Sequence, residues 1–399
     1  MKYLYLCFFT LALASFFFGT AGIGSIANLR LVIIFPLLVF AIVKSSQVPG
    51  RVPAGSLVMV WVFLGWCLTT CFWSENFNLS LVKLLLFSVT VMAFFLGGAV
   101  IPKLYPRLNP YLALAPVFLA TVIGALIRPN IEQGNLRGIF GNSNMQAATI
   151  LFTCPWLFVE VDRQWSSRLK RNLLWLLGAL ATTILLLSRS RTMLISAVVF
   201  FTVVFGYLRP GRKVLALYIA TVLLMLAVAV KPELVNDVTQ TYILKSGSRL
   251  MESRGNQIQE SLQSAIASGP LGLGFGISAG ISRFWESGNF SSYSREKGNS
   301  ILAVWEETGI IGAGLWLATM LVLALSLRRM GKDLARGSSG RFLYFVALGF
   351  LCGCCVSSMG EAWVLSPSPE TAVFWATMGL GFGALKADAN STSSMGAAA

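Results

Sequence analysis

Residues 254–276 read RGNQIQESLQSAIASGPLGLGFG and residues 298–314 read GNSILAVWEETGIIGAG. Together they close the one long polar interval, Lys231 to Asn299, of an otherwise apolar chain. That interval is too long to be an idle connection. Its last residues run straight into an apolar segment that carries two adjacent carboxylates, Glu306 and Glu307. Such a segment is long enough to cross a bilayer, and an ionisable group inside one points to function. The rest of the chain reads as a scaffold that holds this stretch against one face of a membrane.

The composition agrees. Of 399 residues, 56% are hydrophobic and only 12% are charged, against about a quarter charged in a soluble domain. Apolar runs of spanning length recur throughout. We expect an all-α, polytopic membrane helix bundle with about twelve spans and a long periplasmic loop containing a short amphipathic helix. The spans are Tyr3–Phe18, Ile26–Val43, Ser56–Phe72, Leu79–Ile101, Leu108–Ile127, Asn144–Val159, Leu173–Leu187, Thr192–Leu208, Val214–Val230, Ile301–Leu327, Phe342–Ser357 and Thr371–Leu385. The first has Lys2 before it, but no small-x-small cleavage site follows Phe18, so it reads as a retained span. By organisation, residues 1–136 form a transmembrane scaffold. Residues 137–327 form the core with the loop 231–299, 328–386 the last helices, and 387–399 a polar, disordered tail.

The net charge of +15 comes from 31 basic and 16 acidic residues. Every second loop is strongly basic, which places those loops and both termini on the cytoplasmic side. No basic stripe interleaved with aromatics is present, so nucleic acid is not the partner. The outer loops carry both signs of charge and are better candidates for chemistry. Arg30 and Lys83, just inside outer span ends, read as side chains that snorkel to the surface. The seven cysteines all lie in or beside apolar runs. CGCC at Cys352 has no second pair, and the chain has no histidine. No metal site or cofactor is expected.

Within the long interval, Ile258, Leu262 and Ile266 recur at i, i+4 and i+8. This predicts a helix over 254–267 with one apolar face, either at the membrane surface or packed on the bundle. PLGLGFG is not a dinucleotide fingerprint, because no strand–helix–strand unit surrounds it. It predicts a tight turn that lets backbone approach the bundle or a phosphate. Trp285, Phe290 and Tyr293 on the following loop are suited to interfacial anchoring or to stacking on sugar rings. There is no internal repeat of the kind many transporters show.

Four segments stand out in order: RGIFGNSNMQAA from Arg137, SRSR at Ser188–Arg191, Arg254 with the amphipathic turn and PLGLGFG, and GNSILAVWEETGIIG. In order and spacing they resemble the O-antigen ligase and polymerase superfamily. The resemblance covers Arg137 to Gly314, and the other spans only in hydropathy. It implies a metal-independent glycosyltransferase of the bacterial inner membrane. The donor would be a polyprenyl-diphosphate-linked glycan, and the acceptor a glycan, a lipid such as lipid A core, or a protein. A flippase and a chain-length regulator are the implied partners, beside membrane lipids. Family arginines that hold the diphosphate would fall on Arg191 and Arg254. The ligases carry a histidine directly before the asparagine that opens the tenth span; Gly298, before Asn299, stands there instead. This departure moves the reading from ligase toward polymerase, or toward exopolysaccharide assembly.

The residues argue the same way unaided. A diphosphate leaving group needs fixed cations, and guanidinium matches phosphate bidentately. Arg137, Arg189, Arg191, Arg249 and Arg254 lie at the outer side, where no pair of aspartates offers a metal instead. Glu307 is either an ion-pair partner or the base for the acceptor hydroxyl. Its distance from Asn299 along a helix is on the order of 13 Å. Glu296 is its rival, closer in sequence. Asn299, Trp285 and Tyr293 are the acceptor or sugar contacts. A transporter of the lipid-linked unit and a non-catalytic envelope scaffold are the competing classes.

Overall fold

The computed structural model describes residues 3–20, 24–46, 52–132, 135–207, 252–278, 298–332, 334 and 339–396. The helices are α1 (Leu4–Thr20), α2 (Gly24–Ser46), α3 (Ala54–Cys71), α4 (Phe77–Leu104), α5 (Ala115–Ile127), α6 (Ser143–Thr153), α7 (Pro155–Arg163), α8 (Arg168–Leu187) and α9 (Arg191–Tyr207). They continue as α10 (Glu252–Ala267), α11 (Ser300–Lys332), α12 (Ser339–Gly360) and α13 (Pro369–Gly396). The strands among the described residues, Ile131–Glu132 and Asn135–Leu136, form one small antiparallel hairpin with Ile131 opposite Leu136. The protein is therefore an all-helical bundle.

Five of these helices have the length and composition to cross a membrane: α3, α4, α8, α11 and the Gly340–Gly360 part of α12. The apolar parts of α1, α2, α5 and α9 are shorter. Each expected span falls on helix except Val214–Val230, which lies outside the described residues. The span expected over Asn144–Val159 is two helices. It breaks at Cys154, where Pro155 opens α7 and can donate no backbone bond to the preceding turn. At the other end, α13 continues to Gly396, into the segment expected to be a disordered tail.

Small residues set the closest packing. α4 and α13 meet at Gly98, Gly379 and Gly383. A Cβ on Gly98 would lie 2.7 Å from the carbonyl of Ala376, and one on Gly379 or Gly383 would strike the carbonyl of Phe95 or Ala99. In a bilayer, where apolar faces gain nothing from leaving water, such close backbone approach is the main source of helix association. Trp375 closes the contact edge-on to Phe95, with ring centroids 5.3 Å apart. α11 packs along α3 through Trp316 on Phe63 at 5.4 Å and a Ser56–Ser326 hydroxyl bond of 2.9 Å. α12 packs along α9, with Gly349 and Gly353 against the carbonyls of Phe200 and Ser196.

α10 lies on α11 through Ser261 and Ala265, both fully buried. Leu262 and Ile266 of its apolar face remain exposed, Ile266 at 61%. The helix therefore packs on the bundle, one of the two placements expected from sequence, and leaves Leu262 and Ile266 exposed.

Candidate functional site

Three of the four motifs meet at the end of α12. Asn142 caps α6, its Oδ1 accepting the Asn144 N–H at 2.8 Å. Asn144 donates through Nδ2 to Oε1 of Glu361 at 2.9 Å. Asn299 caps α11, accepting the N–H groups of Ile301 and Leu302 at 2.8 and 3.0 Å. Its Nδ2 donates to the carbonyl of Met359 at 2.9 Å. Ser300 donates through Oγ to the carbonyl of Glu361 at 2.6 Å and accepts the Trp363 N–H at 3.3 Å. Thr192, the second residue of α9, presses on Gly360, where a Cβ would lie 2.5 Å from Thr192 Oγ1. Residues 359–361 thus tie together the N-termini of α6, α9 and α11. Each N-terminus presents the positive end of a helix dipole, so their convergence favours an anion.

The SRSR segment makes the α8–α9 reversal without a loop. Ser188 ends α8, and Arg189 adopts φ 53°, the left-handed region. An L residue there is disfavoured by about 1–2 kcal/mol. The reversal turns the hydroxyls inward, with Ser188 and Ser190 buried, and leaves Arg189 exposed. Arg191 opens α9 half-buried, with its Nε and Nη1 atoms shielded from solvent.

The glycine-rich segment has a different job. Gly309 has φ 73° and ψ 178°, which breaks α11 into two half-helices. The break frees the carbonyls of Glu306, Glu307 and Thr308 from their usual partners four residues on. PLGLGFG fills it. Leu273 N–H donates to Glu306 O at 2.9 Å and Gly274 N–H to Glu307 O at 3.0 Å. Trp66 Nε1 of α3 donates to Thr308 O at 2.8 Å, and Ile310 N–H turns to Pro270 O at 3.1 Å. Gly272, at φ 78°, approaches so closely that a Cβ would lie 2.7 Å from Glu307 O. The segment therefore approaches the bundle, and its backbone is spent on α11.

Glu307 belongs to this interlock. It is 8% exposed, and its Oε2 accepts the Gly276 N–H at 2.7 Å. Lys83 Nζ donates to the carbonyl of the same Gly276. One carboxylate and one lysine thus hold the two polar groups of a single residue, and Lys83 points to the loop rather than snorkelling. Phe275 is fully buried and packs on Phe87 at 5.6 Å. Glu306 is fully buried on the same half-helix.

The remaining expected residues fall as follows. Arg137 is half-buried at the foot of the hairpin, its N–H donating to Asn130 O at 2.8 Å, five residues before the α6 cap. Arg254 lies in the first turn of α10. Arg249, Trp285, Phe290, Tyr293 and Glu296 lie outside the described residues. Asn299 uses both ends of its amide in capping and bridging. Among the described residues no three Cys, Asp or Glu side chains group as metal ligands. Glu361 is the residue that sequence reasoning passed over. Its signal was slight: an acid just past the run SSMG at the end of an expected span.

No family model matches the chain, and no curated protein matches it significantly. The geometry around residues 359–361 therefore has to carry the functional argument.

Proposed function

We propose that the protein is a membrane glycosyltransferase that transfers or polymerises a glycan carried on polyprenyl diphosphate. The observation that supports it is the meeting of Asn144, Thr192 beside Arg191, and Asn299–Ser300 around Glu361. Three segments far apart in sequence supply, at one mouth, helix N-termini, a partly buried guanidinium and a carboxylate. In the reaction, the bond between the anomeric carbon and the diphosphate oxygen breaks, and the acceptor hydroxyl oxygen bonds to that carbon. Arg191, with Arg254, takes up the charge developing on the leaving diphosphate. The hydroxyl proton goes to a carboxylate. Glu307 is committed to the loop, so we assign that role to Glu361, which Asn144 orients. The absence of histidine next to Asn299 favours polymerase over ligase. A transporter would use a broken helix as its substrate site, but here the freed groups of α11 are taken by PLGLGFG.

Purified protein in neutral detergent, given the lipid-linked repeat unit, should release polyprenyl diphosphate and form longer glycan, with undiminished rate in EDTA. Release without glycan elongation, or no turnover across repeat units of several compositions, would sink the reading. Strict dependence on a divalent ion would sink the arginine-based mechanism.

The proposal sets the site on the periplasmic face of a bacterial inner membrane, with both termini cytoplasmic and a flippase and chain-length regulator as partners. In a background with the native cysteines replaced, an impermeant thiol reagent on intact cells should label Gln263→Cys and spare Lys170→Cys. Both positions are exposed. The opposite pattern would invert the topology and remove the site from its donor.

A further inference from the structure

At the opposite end of the bundle a groove of about 620 Å³ opens between α3 and α11, beside Lys386 of α13. This volume is in the range of small-molecule sites, about 300–1,000 Å³. Its walls are apolar, built from Val58, Met59, Val322 and Met330 among others. Its polar rim is Arg329 and Lys386, both exposed, and among the described residues no carboxylate lines it. The floor is open because residue 55 is glycine: a Cβ there would meet nothing nearer than Val322 at 4.0 Å. Along the same helices, Trp61 and Val62 of α3 and Leu317, Leu321 and Leu325 of α11 stay exposed. They continue the apolar wall away from the charged rim.

We infer that this groove binds one anionic phospholipid, with its phosphate between Arg329 and Lys386 and an acyl chain along the α3–α11 seam. Charge complementarity selects the headgroup: two cations on distant segments face an otherwise apolar cavity, as in basic inter-helical pockets that hold anionic lipids. The length of exposed apolar wall selects a lipid over a free phosphate, which would leave that wall unused. Ala54 and Gly55, the first residues of α3, line the groove, so the positive end of that helix lies at it. The groove lies at the end carrying the basic loops, so the lipid belongs to the inner leaflet. It stands apart from the mouth at residues 359–361, so it holds whether or not the chain transfers glycan.

The test is lipid binding by the full-length protein in neutral detergent, read by native mass spectrometry and by thermal unfolding. Phosphatidylglycerol, phosphatidylcholine and glycerol 3-phosphate are compared. One phosphatidylglycerol should bind at least about tenfold more tightly than phosphatidylcholine, since each interfacial cation contributes on the order of one such step. Glycerol 3-phosphate should bind no more than weakly. Arg329→Gln with Lys386→Gln should abolish the preference, and Gly55→Leu, which fills the floor without a backbone clash, should abolish binding of either lipid. Arg168→Gln with Lys170→Gln, which removes two exposed charges on α8, should change nothing. Equal affinity for the two lipids, retained preference in the rim variant, or equal loss in the α8 control would each overturn the site. Glycerol 3-phosphate binding as tightly as the lipid would overturn the choice of ligand.

Discussion

Arg191→Ala should lower glycan transfer by at least about a hundredfold, the scale seen when one fixed donor to developing charge is removed from a shielded site. The protein should still insert and fold. Arg191 is the first residue of α9, next to Thr192, which touches Gly360, so it opens one of the three helix N-termini that converge there. Its Nε and Nη1 are shielded from solvent, and an interaction with phosphate there is stronger than at the surface. Arg191→Lys should recover little of the loss, because an ammonium is a point charge and cannot make two parallel bonds to one phosphate. Arg254→Ala should act alike, and normal activity there would move the second contact elsewhere. The base is separated from the cation by its pH profile. Glu361→Gln should cost at least about tenfold and remove the acidic limb of the rate profile, since proton transfer by a placed base contributes about 10²–10⁴-fold. Glu307→Gln should leave that limb in place, because its amide oxygen still accepts the Gly276 N–H. A normal profile in Glu361→Gln combined with an altered one in Glu307→Gln would reverse the assignment.

The helical bundle was legible because each helix follows from a local property, an apolar run, although only five of the helices have the length and composition to cross a membrane. What depended on distant contacts was not. Pro155 was in view, but a proline in an apolar run does not say whether the helix kinks or divides; the structure divides it at Cys154. Asn299 carries a helix-start signature, a capping residue directly before an apolar run, yet it was read as a substrate contact. Its amide in fact both caps α11 and reaches Met359. Glu361 was invisible for a physical reason. Its partners lie 217 residues away at Asn144 and 61 away at Ser300, and nothing local distinguishes it from any other loop acid. PLGLGFG was read correctly as a tight approach of backbone, but its partner, the break at Gly309, sits in a run where glycine usually signals only close helix packing.

That break supports the second large effect. Gly309→Ala should destabilise the protein by at least about 4 kcal/mol, enough to remove most folded material from the membrane. Two causes add. The conformation φ 73°, ψ 178° is open essentially only to glycine, and forcing another residue into it costs about 1–3 kcal/mol. The new Cβ would also collide with the carbonyl of Pro270 and lie 2.6 Å from the carbonyl carbon of Leu271. Those atoms are backbone, so the loop itself must withdraw. Withdrawal breaks the Leu273, Gly274 and Ile310 bonds across the gap. Each buried group left unpaired costs about 1–3 kcal/mol. Returning α11 to a continuous helix would re-pair its own carbonyls but strand the loop donors, so no rearrangement recovers the whole. Gly314→Ala, five residues on, is the control. A Cβ there meets nothing within 4 Å and its backbone is helical, so alanine should be neutral or stabilise by up to about 1 kcal/mol. The measurement is the detergent-denaturation midpoint of both variants beside the parent. Equal midpoints for Gly309→Ala and Gly314→Ala would mean that α11 runs unbroken and that PLGLGFG does not hold it.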